Sequence, residues 1–241
     1  MKTGVFETVR VGRVNSQRPD RNEQVLEISA FLFLIVPSMA LSFFAIKQGS
    51  LSFSLSAVAT ILRDLSLVSL ILFFLWRNRE PLLSIGWNFT NFWKEFILGM
   101  ILFFPFFYAS GYLENALHAA GLSIPSTPLP AFLSPRGFVQ ILLAFFLVVV
   151  VAIAEETIFR GYLLLRFRAM MNNPAAILLS AVVFSLGHGY EGTAGLVTVG
   201  FMGLIFALVF KWRRSLVAPM VMHFLQDFTV IVLLPLLGMI R

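Results

Sequence analysis

Residues 138–168 read FVQILLAFFLVVVVAIAEETIFRGYLLLRFR, and the reading of this stretch decides the fold. From Phe138 to Ala154 the only polar side chain is Gln140, and then Glu155 and Glu156 follow directly. The apolar run breaks there, yet helical composition continues through Tyr162, Leu163, Leu164 and Leu165 to Arg168. There is no proline, and Gly161 is the single glycine. One long helix is therefore expected, with more than the roughly 20 apolar residues a bilayer crossing needs. At helical rise, Glu155 lies about 16 Å from Arg166, which belongs at the membrane surface. Two carboxyl groups then sit near mid-membrane, where an ionisable side chain is costly and needs a partner or a function.

The rest of the chain agrees with a membrane setting. Of its 241 residues, 59% are hydrophobic and only 12% charged, and the mean hydropathy is +0.88. A soluble domain carries about a quarter charged residues, so a soluble reading fails. The 27 phenylalanines against 4 tyrosines and 4 tryptophans suit a surface facing lipid. Absence of cysteine excludes thiol catalysis, thiolate metal ligation and disulfides. Further apolar stretches run over 28–46, 51–76, 96–113, 175–187 and 194–210. A last one, 216–240, reads as one tilted helix or two short ones broken near Pro235. The expected fold class is all-α, a polytopic integral membrane protein of about seven or eight transmembrane helices. The chain divides into a polar basic segment over 1–24, N-terminal transmembrane helices over 25–137 and a core over 138–241.

Net charge is +6, with a pI near 10.2. The basic residues lie between apolar runs, so topology explains them better than a nucleic-acid partner, and none is expected. Five Lys or Arg residues precede the first apolar run. Arg77, Arg79 and Lys94 share the next loop on that side, followed by Arg166 and Arg168, then Lys211, Arg213 and Arg214. The alternate loops hold only Lys47 and Arg136. By the positive-inside rule the N-terminus is cytoplasmic. No cleavable signal peptide is expected, because the first 24 residues lack an apolar h-region.

Three strings hold most of the polar groups within the apolar segments: Glu155-Glu156-x-x-x-Arg160, Phe184-x-x-x-His188 and His223-x-x-x-Asp227. Glu156 and Arg160 are four apart and share a helix face, as do His223 and Asp227. Glu155 is turned by about 100° from Glu156 and is free of that arginine. His223 lies about 13 Å beyond Arg214 and His188 about 21 Å beyond Pro174, so three helices can bring these groups to one layer. A carboxylate beside a neutral histidine can hold a water and take its proton. A second histidine with a polar neighbour can stabilise the oxyanion that forms when water attacks a peptide carbonyl. The same groups can instead ligate zinc and leave one position for water. Either route is hydrolytic. Arg63 and Asp64, which interrupt the second apolar stretch, are expected to neutralise each other or line a wet cavity. His118 is expected to be solvated.

In order and spacing, the three strings resemble the CPBP family, which includes the CAAX prenyl proteases of the Rce1 type and bacterial relatives linked to bacteriocin handling. The resemblance covers roughly 138–230. It implies an intramembrane endopeptidase in which Glu155 activates water with help from His188. His223 and Asp227 would stabilise the oxyanion, and Glu156 and Arg160 would brace the site. Asp227 stands where prenyl-protein proteases often have asparagine, and an ionised aspartate cannot donate to an oxyanion. The resemblance favours no cofactor. Zinc is the alternative, and would be held by Glu155, His188, His223 and Asp227. The implied partners are the lipid bilayer and a peptide or protein substrate, prenylated or membrane-anchored. A prokaryotic plasma membrane is the expected location, with the active-site cavity open toward the cytoplasmic side. A proton-coupled transporter and a non-catalytic bacteriocin-immunity protein on the same scaffold are the alternative functions.

Overall fold

A computed structural model describes residues 21–42, 52–125 and 130–239. Most of the polar segment expected over 1–24 lies outside the described residues, as does Lys47; residues 21–24 already belong to the first helix. Seven helices follow one another: α1 Arg21–Ser42, α2 Phe53–Arg77, α3 Phe92–Ala119, α4 Gly137–Met170, α5 Asn173–Leu186, α6 Gly192–Arg213 and α7 Val217–Leu236. Among the described residues there is no strand. Six of these helices are long and apolar enough to cross a membrane, and α5 is a shorter apolar helix. The chain is a polytopic integral membrane protein. Its final region forms one helix, and Pro235 falls in its last turn, where the chain is about to leave the helix.

Local chemistry sets the helix ends. Asn172 caps α5, its Oδ1 accepting from the Ala175 amide at 3.0 Å, with Pro174 in the first turn. The fourteen residues of α5 rise only about 21 Å, short of the roughly 30 Å hydrocarbon core. Its C-terminal end, with Gly187 and His188, therefore stops inside the bundle. By contrast α4 is 34 residues long and carries Glu155 at its middle.

The two ends of the bundle differ. At the end holding the starts of α1, α3 and α5, Glu27 of α1 is a buried hub. It accepts from Arg77 Nη2 at 2.9 Å, Asn78 Nδ2 at 2.7 Å, Arg166 Nη2 at 3.1 Å and the Tyr162 hydroxyl at 3.2 Å. Arg166 also reaches Glu80 at 2.9 Å, and Arg213 pairs with Glu95 at 2.7 Å. The Leu216 amide donates to the Gly86 carbonyl at 2.9 Å, tying the start of α7 to the α2–α3 turn. Phe31, Phe74 and Tyr162 pack beneath this network. These contacts join the basic ends of α2, α4 and α6 into one sealed layer. At the other end, Ser123 and Thr193 hydrogen-bond across the loops before α4 and α6.

Candidate active site

The α4 helix changes its winding at the acidic pair. From Glu156 to Leu163 it forms wider π turns, and every residue of this stretch is buried. The Phe159 carbonyl, which accepts from the Leu164 amide within this stretch, also accepts from the Ser180 hydroxyl of α5 at 2.8 Å. The α7 helix does the same immediately after Asp227, over Phe228–Leu233. Both changes of pitch flank the polar groups, and neither is marked by glycine or proline at its start.

Adjacent glutamates face different partners. Glu156 is fully buried, and its Oε1 accepts from Arg160 Nη1 at 2.8 Å and from His223 Nδ1 at 3.0 Å. Glu155 turns to the other side: Oε1 is 3.8 Å from Arg63 Nη2, and Oε2 is 3.9 Å from His223 Nε2. His223 Nε2 is also 3.4 Å from Asp227 Oδ2. The imidazole thus spends one nitrogen on the buried carboxylate and presents the other to Glu155 and Asp227. Phe206 stacks on its face at 5.5 Å.

Arg160 has no exposed surface, and its guanidinium rests 4.0 Å from the Phe184 ring centroid and 5.1 Å from that of Phe206. Its Nε and Nη2 have no hydrogen-bond partner. The aromatic faces therefore supply part of the cation's stabilisation. Room for it comes from Gly203, where a Cβ would stand 3.0 Å from Phe184 Cδ1 and 3.2 Å from Arg160 Nη2. An added Cβ at this close approach of α6 to α5 would need Phe184 or Arg160 to give by a few tenths of an ångström.

His188 sits just past the end of α5. Its Nδ1 lies 3.2 Å from the Phe184 carbonyl, and its ring is 5.1 Å from Phe184 and 5.9 Å from Tyr190. It forms no ion pair with Glu155; among the described residues the cationic partners of Glu155 are Arg63 and His223. Glu155, His188, His223 and Asp227 nevertheless line one cavity of about 690 Å³. The residues named for zinc are not gathered around one point: no group of three His, Asp or Glu among the described residues is arranged to hold a metal ion.

Other residues of the site belong to helices outside the three strings. Arg63 and Asp64 of α2 pair at 2.8 Å and line the cavity, as their position in an apolar helix suggested. Sequence alone gave no sign that Arg63 reaches Glu155. His118 is exposed, as expected, but it stands at the cavity wall with Glu114, Phe132, Tyr190 and Glu191. These residues come from the ends of α3 and the loops before α4 and α6, opposite the sealed layer. The cavity is thus lined from the end of the bundle opposite the sealed basic layer. The reason is physical: the Glu27–Arg166 network and the lower half of α4 close the basic end, while the short α5 leaves the other open.

Residues 137–229 match the family model for the Rce1-like type II CAAX prenyl endopeptidases. The match agrees with the resemblance read from the three strings and implies a membrane peptidase acting on a peptide or protein. It contains Glu155, Glu156, Arg160, His188, His223 and Asp227, and leaves α1, α2 and α3 outside. No curated protein matches the chain. No solved structure matches it.

Proposed function

We propose that this chain is an intramembrane endopeptidase that hydrolyses a peptide bond with a water activated by Glu155. The observation that carries the reading is the division of labour between the two glutamates. Glu156 commits Oε1 to both Arg160 and His223 and is fully buried, whereas Glu155 lines the cavity with its nearest cations, Arg63 and His223, at 3.8 and 3.9 Å.

In this cycle a water held between Glu155 and the Nε2 of His188 loses a proton to Glu155 and attacks the scissile carbonyl. His188 is suited to hold that water because its Nδ1–H is given to the Phe184 carbonyl, which leaves Nε2 as acceptor. The oxyanion is met by a proton on Nε2 of His223, while Nδ1–H remains on Glu156. Asp227 acts through His223, orienting the ring rather than donating itself. Glu155 then passes its proton to the leaving amine, and the C–N bond breaks without a covalent acyl-enzyme. Residues 138–241 form the catalytic part, and the helices over 25–137 complete the cavity wall through Arg63. The N-terminus is placed in the cytoplasm by the distribution of Lys and Arg.

The test is cleavage of a fluorogenic peptide library by the detergent-solubilised protein, run beside Glu155→Gln and in the presence of a strong chelator. Loss in the variant with full activity under chelation is expected. Turnover by Glu155→Gln would overturn the assignment, and loss under chelation would replace the metal-free mechanism.

A further inference from the structure

From the mid-bundle level of Glu155, His223 and Gln226 to the rim, the walls of the cavity come from the second halves of α1, α3 and α7, the first halves of α2, α4 and α6, the loop before α4 and the turn after α5. The floor is formed by Ile158, Phe159, Phe184 and Phe206, just below Glu155 and His223. At the rim, Phe132 and Tyr190 meet edge to face at 5.5 Å, and Ile124 is 43% exposed. Arg136 is the one basic residue, histidine aside, in the described loops at this end. Below the floor lies the sealed layer, where Arg77, Arg166 and Arg213 pair with Glu27, Glu80 and Glu95. Arg79, Lys94, Arg168, Lys211 and Arg214 add further basic residues there.

Positive charge near the ends of membrane helices is retained on the cytoplasmic side. The sealed layer is thus the cytoplasmic one, and the rim faces outward. We infer that the cavity is entered from the extracytoplasmic side, so that its substrates are exported peptides or the outer juxtamembrane segments of membrane-anchored proteins. The entry side stands on the geometry and charge alone; the word substrate rests on the peptidase reading above.

The chain has no cysteine, so single-cysteine variants report the sidedness of each position without background. Three neutral positions keep every charge in place: Ile124→Cys at the rim, Gln226→Cys inside the cavity and Thr90→Cys in the exposed turn at the sealed end. Each is treated with a membrane-impermeant maleimide in intact spheroplasts and again after permeabilisation. Labelling of Ile124→Cys and Gln226→Cys in intact spheroplasts is expected, with Thr90→Cys labelled only after permeabilisation. The inverse pattern overturns the inference. So does outward labelling of Ile124→Cys with Gln226→Cys protected until the membrane is opened, because the cavity would then not communicate with that face. Peptide turnover in the same spheroplasts separates the two readings. Outward labelling with no turnover of any peptide, before or after permeabilisation, would sink the peptidase and leave the entry side standing.

Discussion

Nδ1 of His223 donates to Oε1 of Glu156 at 3.0 Å, across 67 residues of chain, and the same oxygen accepts from Arg160 at 2.8 Å. A helix-internal ion pair is thereby made the anchor of a residue on another helix. Glu156 orients the imidazole, and the neighbouring Glu155 is left for chemistry. This gives two adjacent, chemically identical side chains separable fates under mutation.

Glu155→Gln should preserve the fold, since the amide is isosteric and Glu155 has no short hydrogen bond to lose. Turnover should fall by about 10²–10⁴-fold, the usual contribution of a general base. Steady-state kinetics with a thermal melt of the same preparation checks both halves.

Arg160→Met should fail differently. It leaves Glu156 buried with one partner fewer, and removing one member of a buried pair costs about 3–5 kcal/mol. A lower unfolding midpoint in detergent, or loss of accumulation in the membrane, is expected. Adding Glu156→Gln to Arg160→Met should recover part of that stability without restoring activity, because a neutral amide holds the His223 Nδ1–H more weakly than the carboxylate. A double-mutant cycle measures the coupling.

Gly203→Ala tests the space behind Arg160. The added methyl would meet Phe184 and the guanidinium at 3.0 and 3.2 Å. Overpacking of this kind costs about 1–3 kcal/mol. A destabilised protein with reduced turnover is expected, while Gly111→Ala, where a Cβ meets nothing, serves as the neutral control.

Arg63→Met removes the cation 3.8 Å from Glu155 and strips Asp64, itself buried, of its partner. Asp64→Leu in the same chain should restore stability, because no unpaired buried charge remains. Activity should stay low, by a few-fold to about tenfold, equivalent to ~1 kcal/mol for a partly solvated charge near the base. Comparing melts and kcat for the single and double variants separates the two effects.

Much of this was legible in the residues. The i, i+4 spacings placed Glu156 with Arg160 and His223 with Asp227, and the structure holds both pairs at 2.8 and 3.4 Å. The lengths of the apolar runs marked the helices, including the shortness of α5 that leaves His188 within the bundle. Arg63 was visible as an anomaly in an apolar helix, yet its reach to Glu155 was not, because nothing local specifies which helix lies opposite. The π turns after Glu155 and Asp227 were equally silent. The Ser180 hydroxyl that reaches the Phe159 carbonyl is likewise a partner that only packing supplies.

Hydropathy and helical periodicity are properties of neighbouring residues. For that reason the sequence by itself determined that this chain spans a membrane, that its segments are helices and which side chains share a face. The sharing of Glu156 between Arg160 and His223 and the end at which the cavity opens depend on contacts between distant helices. Those are fixed by which small residues let helices approach, as at Gly203, and by which buried charges must find partners, as at Glu27. The basic ends that orient the chain in the membrane are also the ends that seal it, and only the packed bundle could reveal that.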